Sequence, residues 1–152
     1  MEPLTHLAYP VDKQRLLDEA KLARPKSKAY TDSRYPDMVL DDWLIGHHTS
    51  EYITEIMGDF GVIGRPRFYW MKPYAVIPEH TDNGTLCSIN IILTEQAAPI
   101  TIGGEQYFYD MILLDTTVPH SVVNNEHERI MLKISIFDED YHSLVSRIKY
   151  RA

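Results

Sequence analysis

Four residues in the second half of the chain have types and spacings suited to holding a cation and a carboxylate side by side. His80 and Asp82 are two apart in Ile77-Pro78-Glu79-His80-Thr81-Asp82-Asn83-Gly84. On an extended strand that spacing sends both side chains to one face, within reach of a single ion. His120 follows in Val118-Pro119-His120-Ser121-Val122-Val123-Asn124, just past the apolar run Met111 to Leu114. Two imidazoles and one carboxylate can hold a metal while leaving positions open, which catalysis needs and a structural site avoids. Arg129 then opens an alternating segment, with Ile130, Leu132, Ile134 and Ile136 on one face and Arg129, Met131, Lys133 and Ser135 on the other. Its planar fork suits a carboxylate, whose two oxygens it binds together.

The neighbouring polar residues carry weaker expectations. Tyr74 shares strand parity with His80, so its hydroxyl is expected at a cosubstrate or on the wall of the same pocket, with core packing as the alternative. Ser88 and Asn90 share one face of the run Leu86 to Leu93, opposite Cys87, Ile89 and Ile91, which suggests a polar cavity inside a β structure. The other histidines have bland readings: His6 in a frayed terminus, His47 and His48 in a loop after Gly46, His127 in a turn, and His142 on a final helix. A bland account of the four key residues also exists. It makes Asp82 the lead-in to the Asn83-Gly84 turn, His80 a core histidine, and Arg129 a surface partner of Glu126 or Glu128.

Positioning these groups falls to a region with period-two patterning. The first 60 residues read as helical: Val11 to Ala23, a short helix over Asp37 to Ile45 ending at Gly46, and a better one capped by Thr49 or Ser50. In the last, Ile53, Ile56, Met57 and Phe60 share a face and Gly61 is the stop. Strands are expected at Arg67 to Lys72, Tyr74 to Ile77, Leu86 to Leu93, Ile100 to Ile102, Gln106 to Tyr109, Met111 to Leu114, Ser121 to Val123 and Arg129 to Phe137. Pro73 and Pro78 mark edges or bends. Asn83-Gly84 and Gly103-Gly104 are hairpin signals. A last helix is expected from about Glu139, capped by Asp138. Roughly eight strands with no room for crossover helices between them imply an antiparallel sandwich or barrel.

Composition narrows the classes. The 152 residues carry 15 basic and 22 acidic side chains, a net charge of −7, and no basic block, which disfavours nucleic acid as a partner. With 44% hydrophobic and 24% charged residues the chain reads as globular. The lone Cys87 excludes an internal disulfide and a cysteine-rich zinc module. No apolar run approaches the ~20 residues of a membrane span, and the start lacks the pattern of a signal peptide. A cytoplasmic protein with no membrane partner is therefore expected. The expected organisation is one domain over residues 1–152: a helical part (1–65) packing on a β core (66–137), then a C-terminal helix (138–152).

The order His-x-Asp, His, then Arg about ten residues on, within an all-β region, resembles the Fe(II)- and 2-oxoglutarate-dependent oxygenases, over roughly Tyr69 to Phe137. That resemblance implies a double-stranded β-helix (jelly-roll) core and an iron centre on His80, Asp82 and His120. It also implies that Arg129 holds the far carboxylate of 2-oxoglutarate; Tyr74, Ser88 and Asn90, read from strand parity, are the weaker candidates for cosubstrate contacts. O2 is the oxidant, and hydroxylation of an unactivated C–H bond accompanies conversion of 2-oxoglutarate to succinate and CO2. The substrate class implied is an amino acid, a peptide side chain or a small metabolite. The segment Asp115 to Asn124, followed by Arg129-Ile130-Met131-Leu132, is most similar to the aspartyl/asparaginyl β-hydroxylase branch. The best-known members of that branch lack a carboxylate ligand, whereas Asp82 is present here, as in prolyl and other small hydroxylases. Met131 stands where some related oxygenases place a serine.

Two other classes fit parts of the pattern. His120-Ser121-Val122-Val123-Asn124 echoes the second motif of the cupins, so a cupin-type metalloenzyme not using 2-oxoglutarate is one alternative. Its first motif usually has a His-x-His pair, which His80-Thr81-Asp82 does not supply. A non-catalytic jelly-roll binding protein is the other. Zinc can take the same ligands as iron. The polar segment Lys26 to Tyr35 is expected to form a flap. Edges near Pro73 and Pro78 offer pairing between subunits, so a homodimer is compatible with the sequence and the oligomeric state is left open.

Overall fold

The computed structural model describes residues 2–23 and 43–152. Its elements in chain order are β1 (Leu4–His6), α1 (Lys13–Ala23), β2 (Trp43–His47), α2 (Glu51–Phe60), β3 (Arg65–Met71), β4 (Val76–His80) and β5 (Cys87–Ile92). They continue with β6 (Ile100–Ile102), β7 (Glu105–Tyr107), β8 (Met111–Leu114), β9 (His120–Val123), β10 (Arg129–Ile136) and α3 (Tyr141–Val145). The fold is mainly β, a double-stranded β-helix (jelly roll) with flanking helices. Six strands form one antiparallel sheet in the order β1-β8-β5-β10-β3-β2, and four form another in the order β4-β9-β6-β7.

The larger sheet is covered on both faces. Leu132, Ile134 and Ile136 of β10 and Ile89 and Ile91 of β5 pack with Leu16, Ala20, Ile53, Ile56, Phe60 and Leu144 of the helices. On its other face Tyr69, Met71, Ile112 and Leu114 meet Ile77, Ile100, Ile102 and Val122 of the smaller sheet. Double coverage explains why β5 is buried along its whole length. Polar residues of the larger sheet that face the smaller one, such as Asn90 and Lys133, are consequently shut inside the roll.

Local chemistry sets several element ends. Ser50 caps α2 by accepting from the Ile53 N–H, and Gly61 closes it in the left-handed region at φ 71°. Gly103 and Gly104, at φ 60° and 81°, make the tight turn between the paired strands β6 and β7, as their sequence suggests.

Other expectations are corrected. The N-terminal segment is not frayed at His6: Leu4–His6 pairs with β8, so the first 60 residues are not all helical. Trp43 to Ile45 belong to strand β2, not to a helix, because β3 offers them a ladder partner; the remainder of the expected Asp37–Ile45 helix lies outside the described residues. So does the expected Lys26–Tyr35 flap. The Asn83-Gly84 turn is not a hairpin. The strands flanking it join different sheets, β4 pairing with β9 and β5 with β10 and β8. Turn residues specify a local reversal but not which sheet receives the next strand. The last helix is capped by Asp140, whose side chain accepts from the Ser143 N–H, rather than by Asp138.

Gly64, at the entrance to β3, shows how closely this sheet is packed. A Cβ there would lie 2.6 Å from Ile134 Cγ2 and 2.8 Å from the Ser135 carbonyl oxygen. Gly64→Ala is expected to cost ~1–3 kcal/mol, an overpacking penalty, read as a lower urea midpoint at unchanged slope. An unchanged midpoint would contradict this packing.

Candidate metal centre

The two histidines meet because β4 and β9 pair with His80 directly opposite His120. The register of that pair is irregular: Ile77 faces Val122, yet His80 faces His120, so β4 spends three positions where β9 spends two. Pro78 lies within this bulge, where its missing N–H costs no ladder bond. The extra residue inverts the alternation. Ile77 and His80, an odd number apart, both line the interior, while Val76 is exposed. Tyr74 is the casualty of this inversion. Its expected place on the pocket wall rested on uninterrupted parity, whereas it sits in a turn at φ 62° with its side chain 71% exposed.

Asp82 lies just beyond β4 and is held by its backbone. Its N–H donates to the Thr116 carbonyl at 3.1 Å, and the Thr116 hydroxyl donates to the Thr85 carbonyl at 2.9 Å. This tie brings the carboxylate over the two imidazoles. Asp82 Oδ1 lies 3.2 Å from His80 Nε2 and 3.3 Å from His120 Nε2, and the two rings are 4.4 Å apart. Among the described residues His80, Asp82 and His120 form a cluster able to hold a metal ion.

The donor set fits a metal on the tautomers it enforces. Nδ1 of His80 lies 2.8 Å from the Pro78 carbonyl, and Nδ1 of His120 lies 2.8 Å from the Val118 carbonyl. A carbonyl only accepts, so each Nδ1 carries the proton and a neutral ring has its lone pair at Nε2. Both lone pairs then converge on a carboxylate oxygen. Three acceptors in contact repel unless a cation stands between them, and backbone-fixed imidazoles are the usual support of metal ligands.

The second oxygen of Asp82 is taken by Lys133, whose buried ammonium donates to Oδ2. Burial works against the Asp82 carboxylate, but its contacts with His120 and His80 and the charge of Lys133 outweigh it and hold the carboxyl well below its ordinary range. Burial also pushes the Lys133 ammonium down, with Asp82 opposing. Lys133 and the two histidines use different oxygens, so the lysine orients the carboxylate without occupying the ligand position.

Arg129 lines a chamber together with Asn90, Tyr109, Met131, His80 and His120. It is 3% exposed, which excludes the surface ion pair with Glu126 or Glu128. Its partners are neutral: Nη2 donates to the Tyr109 hydroxyl at 3.1 Å, Nε to the Ala98 carbonyl at 3.4 Å, and Nη1 contacts Met131 Sδ at 3.6 Å. Among the described residues no carboxylate pairs with it. A buried guanidinium with only neutral partners is costly, and a ligand carboxylate would relieve that cost.

The weaker candidates separate. Asn90 lines the chamber, whereas Ser88 lies behind it and donates to Asn90 Oδ1 at 2.8 Å. Asn124 turns the end of β9 by donating to the carbonyls of Lys72 and His127. His48 meets Glu19 at 2.9 Å, away from the cluster. Two site residues received no role from sequence. Lys133 was placed on the face of Arg129, and a lysine inside an otherwise buried strand was its available signal. Tyr109 lies outside the β strands, and nothing local marked it.

No protein-family model matches the sequence, and no curated protein matches it. Solved structures do share the fold. An oxidoreductase of the 2OG-Fe(II) oxygenase family from Burkholderia pseudomallei superposes with a TM-score of 0.58 at 14% identity, covering 84% of this chain and 78% of that one. A Pseudomonas putida prolyl-4-hydroxylase gives 0.52 at 15% identity, covering 64% and 72%. The polyketide cyclase RemF from Streptomyces resistomycificus gives 0.50 at 11% identity, covering 74% of each. At these identities the likeness is one of architecture, and it agrees with the jelly-roll assignment.

The ligand geometry makes a graded prediction. His120→Ala is expected to abolish Fe(II) or Co(II) binding, measured by calorimetry under anaerobic conditions. Lys133→Met, which frees the orientation of Asp82, is expected to weaken binding ~10–100-fold, as loss of a group supporting a ligand does. Equal affinities in all three proteins would mean that the metal binds elsewhere.

Proposed function

We propose that the protein is an Fe(II)- and 2-oxoglutarate-dependent dioxygenase that hydroxylates an unactivated C–H bond of an amino acid, a peptide side chain or a small metabolite. The observation that carries this reading is that two histidines of a two-histidine, one-carboxylate cluster line the same chamber as a buried arginine with no carboxylate partner among the described residues. His80, Asp82 and His120 would hold the iron, three ligands of a type that leaves a metal able to bind others. When bound, the iron would let O2 act as the oxidant, one oxygen atom entering the substrate C–H bond as a hydroxyl and the other entering succinate as 2-oxoglutarate loses CO2.

The chain's own residues do the positioning. Arg129 binds the far carboxylate of the cosubstrate through its fork, and Tyr109 fixes the guanidinium from the side at 3.1 Å. Met71, Ile77, Ile100, Leu114 and Val122 line the chamber and exclude water from the reacting atoms. Lys133 keeps Asp82 facing the two histidines. A reducing compartment suits both an Fe(II) centre and the lone buried thiol of Cys87, so we place the protein in the cytoplasm.

The test is an anaerobic titration of metal-stripped protein with Fe(II) and then 2-oxoglutarate, following the visible charge-transfer band of the chelate. The band is expected in the wild type and absent in His120→Ala. Arg129→Ala is expected to weaken the 2-oxoglutarate titration by about 2–5 kcal/mol, roughly 30-fold or more, the cost of removing one partner from a buried charge pair. Iron binding without any band would instead favour a cupin-type metalloenzyme. Failure to bind metal would leave a non-catalytic jelly-roll binding protein.

A further inference from the structure

A second recess adjoins the metal centre and carries an unexplained concentration of positive charge. It is lined by Arg65, Arg67 and Lys133 with Trp43, Ile45 and Tyr69, and reaches His80 and Asp82. Arg65, Arg67 and Tyr69 alternate along β3, so their side chains share the face that looks into the roll. The pairing of β3 with β10 sets Arg67 directly opposite Lys133 and Arg65 opposite Ser135. Like charges facing each other across a ladder are destabilising, and here both cations are also partly or wholly withdrawn from water.

Lys133 has Asp82 as its partner, but the arginines do not share it. Among the described residues neither Arg65 nor Arg67 has a carboxylate. Arg67 Nε is buried with no hydrogen-bond partner. The guanidinium groups rest instead against rings, Arg67 5.3 Å from the Tyr69 centroid and Arg65 5.0 Å from that of Phe137. Burial and the charge of Arg67 both push the Arg65 guanidinium down. In a chain of net charge −7 this clustering is not a consequence of composition. The same β10 register places Arg129 opposite Met71. Arg67 thus lies four positions along the ladder from Arg129, a backbone separation of ~14 Å, and Arg129 is not among the residues lining this recess.

Resting on the reading above, which gives the chamber of Arg129 to the cosubstrate, we propose that Arg65 and Arg67, with Lys133, bind an oxyanion on the substrate to be oxidised, a small molecule joining that anion to an apolar body. Trp43 and Ile45 supply the apolar wall, and the recess opens on His80 and Asp82, so a substrate held there presents its C–H bonds to the metal centre. Among the described residues no carboxylate would pair with the arginines beside a neutral substrate.

The test compares phenylacetate, phenyl phosphate and neutral phenylacetamide by anaerobic calorimetry, on metal-free protein and on protein loaded with Fe(II) and 2-oxoglutarate. At least one anion is expected to bind the wild type ten or more times more tightly than the amide, and the better anion distinguishes carboxylate from phosphate. Arg67→Gln is expected to weaken that anion at least tenfold while leaving 2-oxoglutarate affinity within twofold. Arg65→Gln reads the same pocket if the first variant does not fold. Failure of both anions to bind, equal binding of acid and amide, or undiminished anion binding in folded variants would overturn the proposal. Arginine-dependent anion binding in a protein that takes no 2-oxoglutarate would retain this pocket and refute the cosubstrate assignment; the reverse pattern would do the opposite.

Discussion

The convergence of two imidazole nitrogens on one oxygen of Asp82 depends on a defect in a sheet. Where β4 passes Pro78 the ladder with β9 loses a step, and His80 turns inward opposite His120. Without that bulge the alternation that points Ile77 into the roll would send His80 out to solvent. The carbonyls of Pro78 and Val118 then fix the two rings in one tautomer. These local bonds preorganise the donors before any cation arrives, which reduces the ordering cost of binding.

Around this point the interior has an unusual electrostatic design. Arg129, Lys133, Arg67 and Arg65 lie along two adjacent strands on the face between the sheets, and Asp82 is the carboxylate among the lining residues of the two recesses. Arg129 and Lys133 are buried, Arg67 is half-buried and Arg65 is exposed, and withdrawing this much charge from water is expensive. The larger sheet can carry it because its opposite face is devoted to an apolar core with the helices. Burial also pushes the Tyr69 hydroxyl up to about 12, with Asp82 adding to the shift and the arginines opposing it, so the ring between the cations stays a neutral phenol.

The structural relatives are consistent with a scaffold that supports several chemistries. A 2OG-Fe(II) oxygenase family member, a prolyl-4-hydroxylase and a polyketide cyclase share the architecture with little sequence in common. The fold therefore identifies the frame, and the reading of this chain rests on its particular side chains.

Much of the site was legible in the sequence because its markers are local. His80 and Asp82 are two residues apart, Arg129 opens a strand whose alternation is clear, and Gly103-Gly104 needs only its own turn. The strands of the core and the helix Glu51–Phe60 follow likewise from periodicity and caps. What depends on distant partners was not legible. The strand character of Leu4–His6 and Trp43–His47 exists because β8 and β3 offer edges to them. Asn83-Gly84 resembles a hairpin until the sheets are assembled, and Tyr74 appears to face inward until the bulge shifts the parity. Lys133 meets Asp82, and Arg67 meets Lys133, only through pairings between residues far apart in the chain. Sequence alone determined the β architecture and the types and local spacing of the candidate donors, since short-range spacing and patterning encode both. Tertiary structure alone decided which charges face one another, because strand register is a property of the assembled sheets.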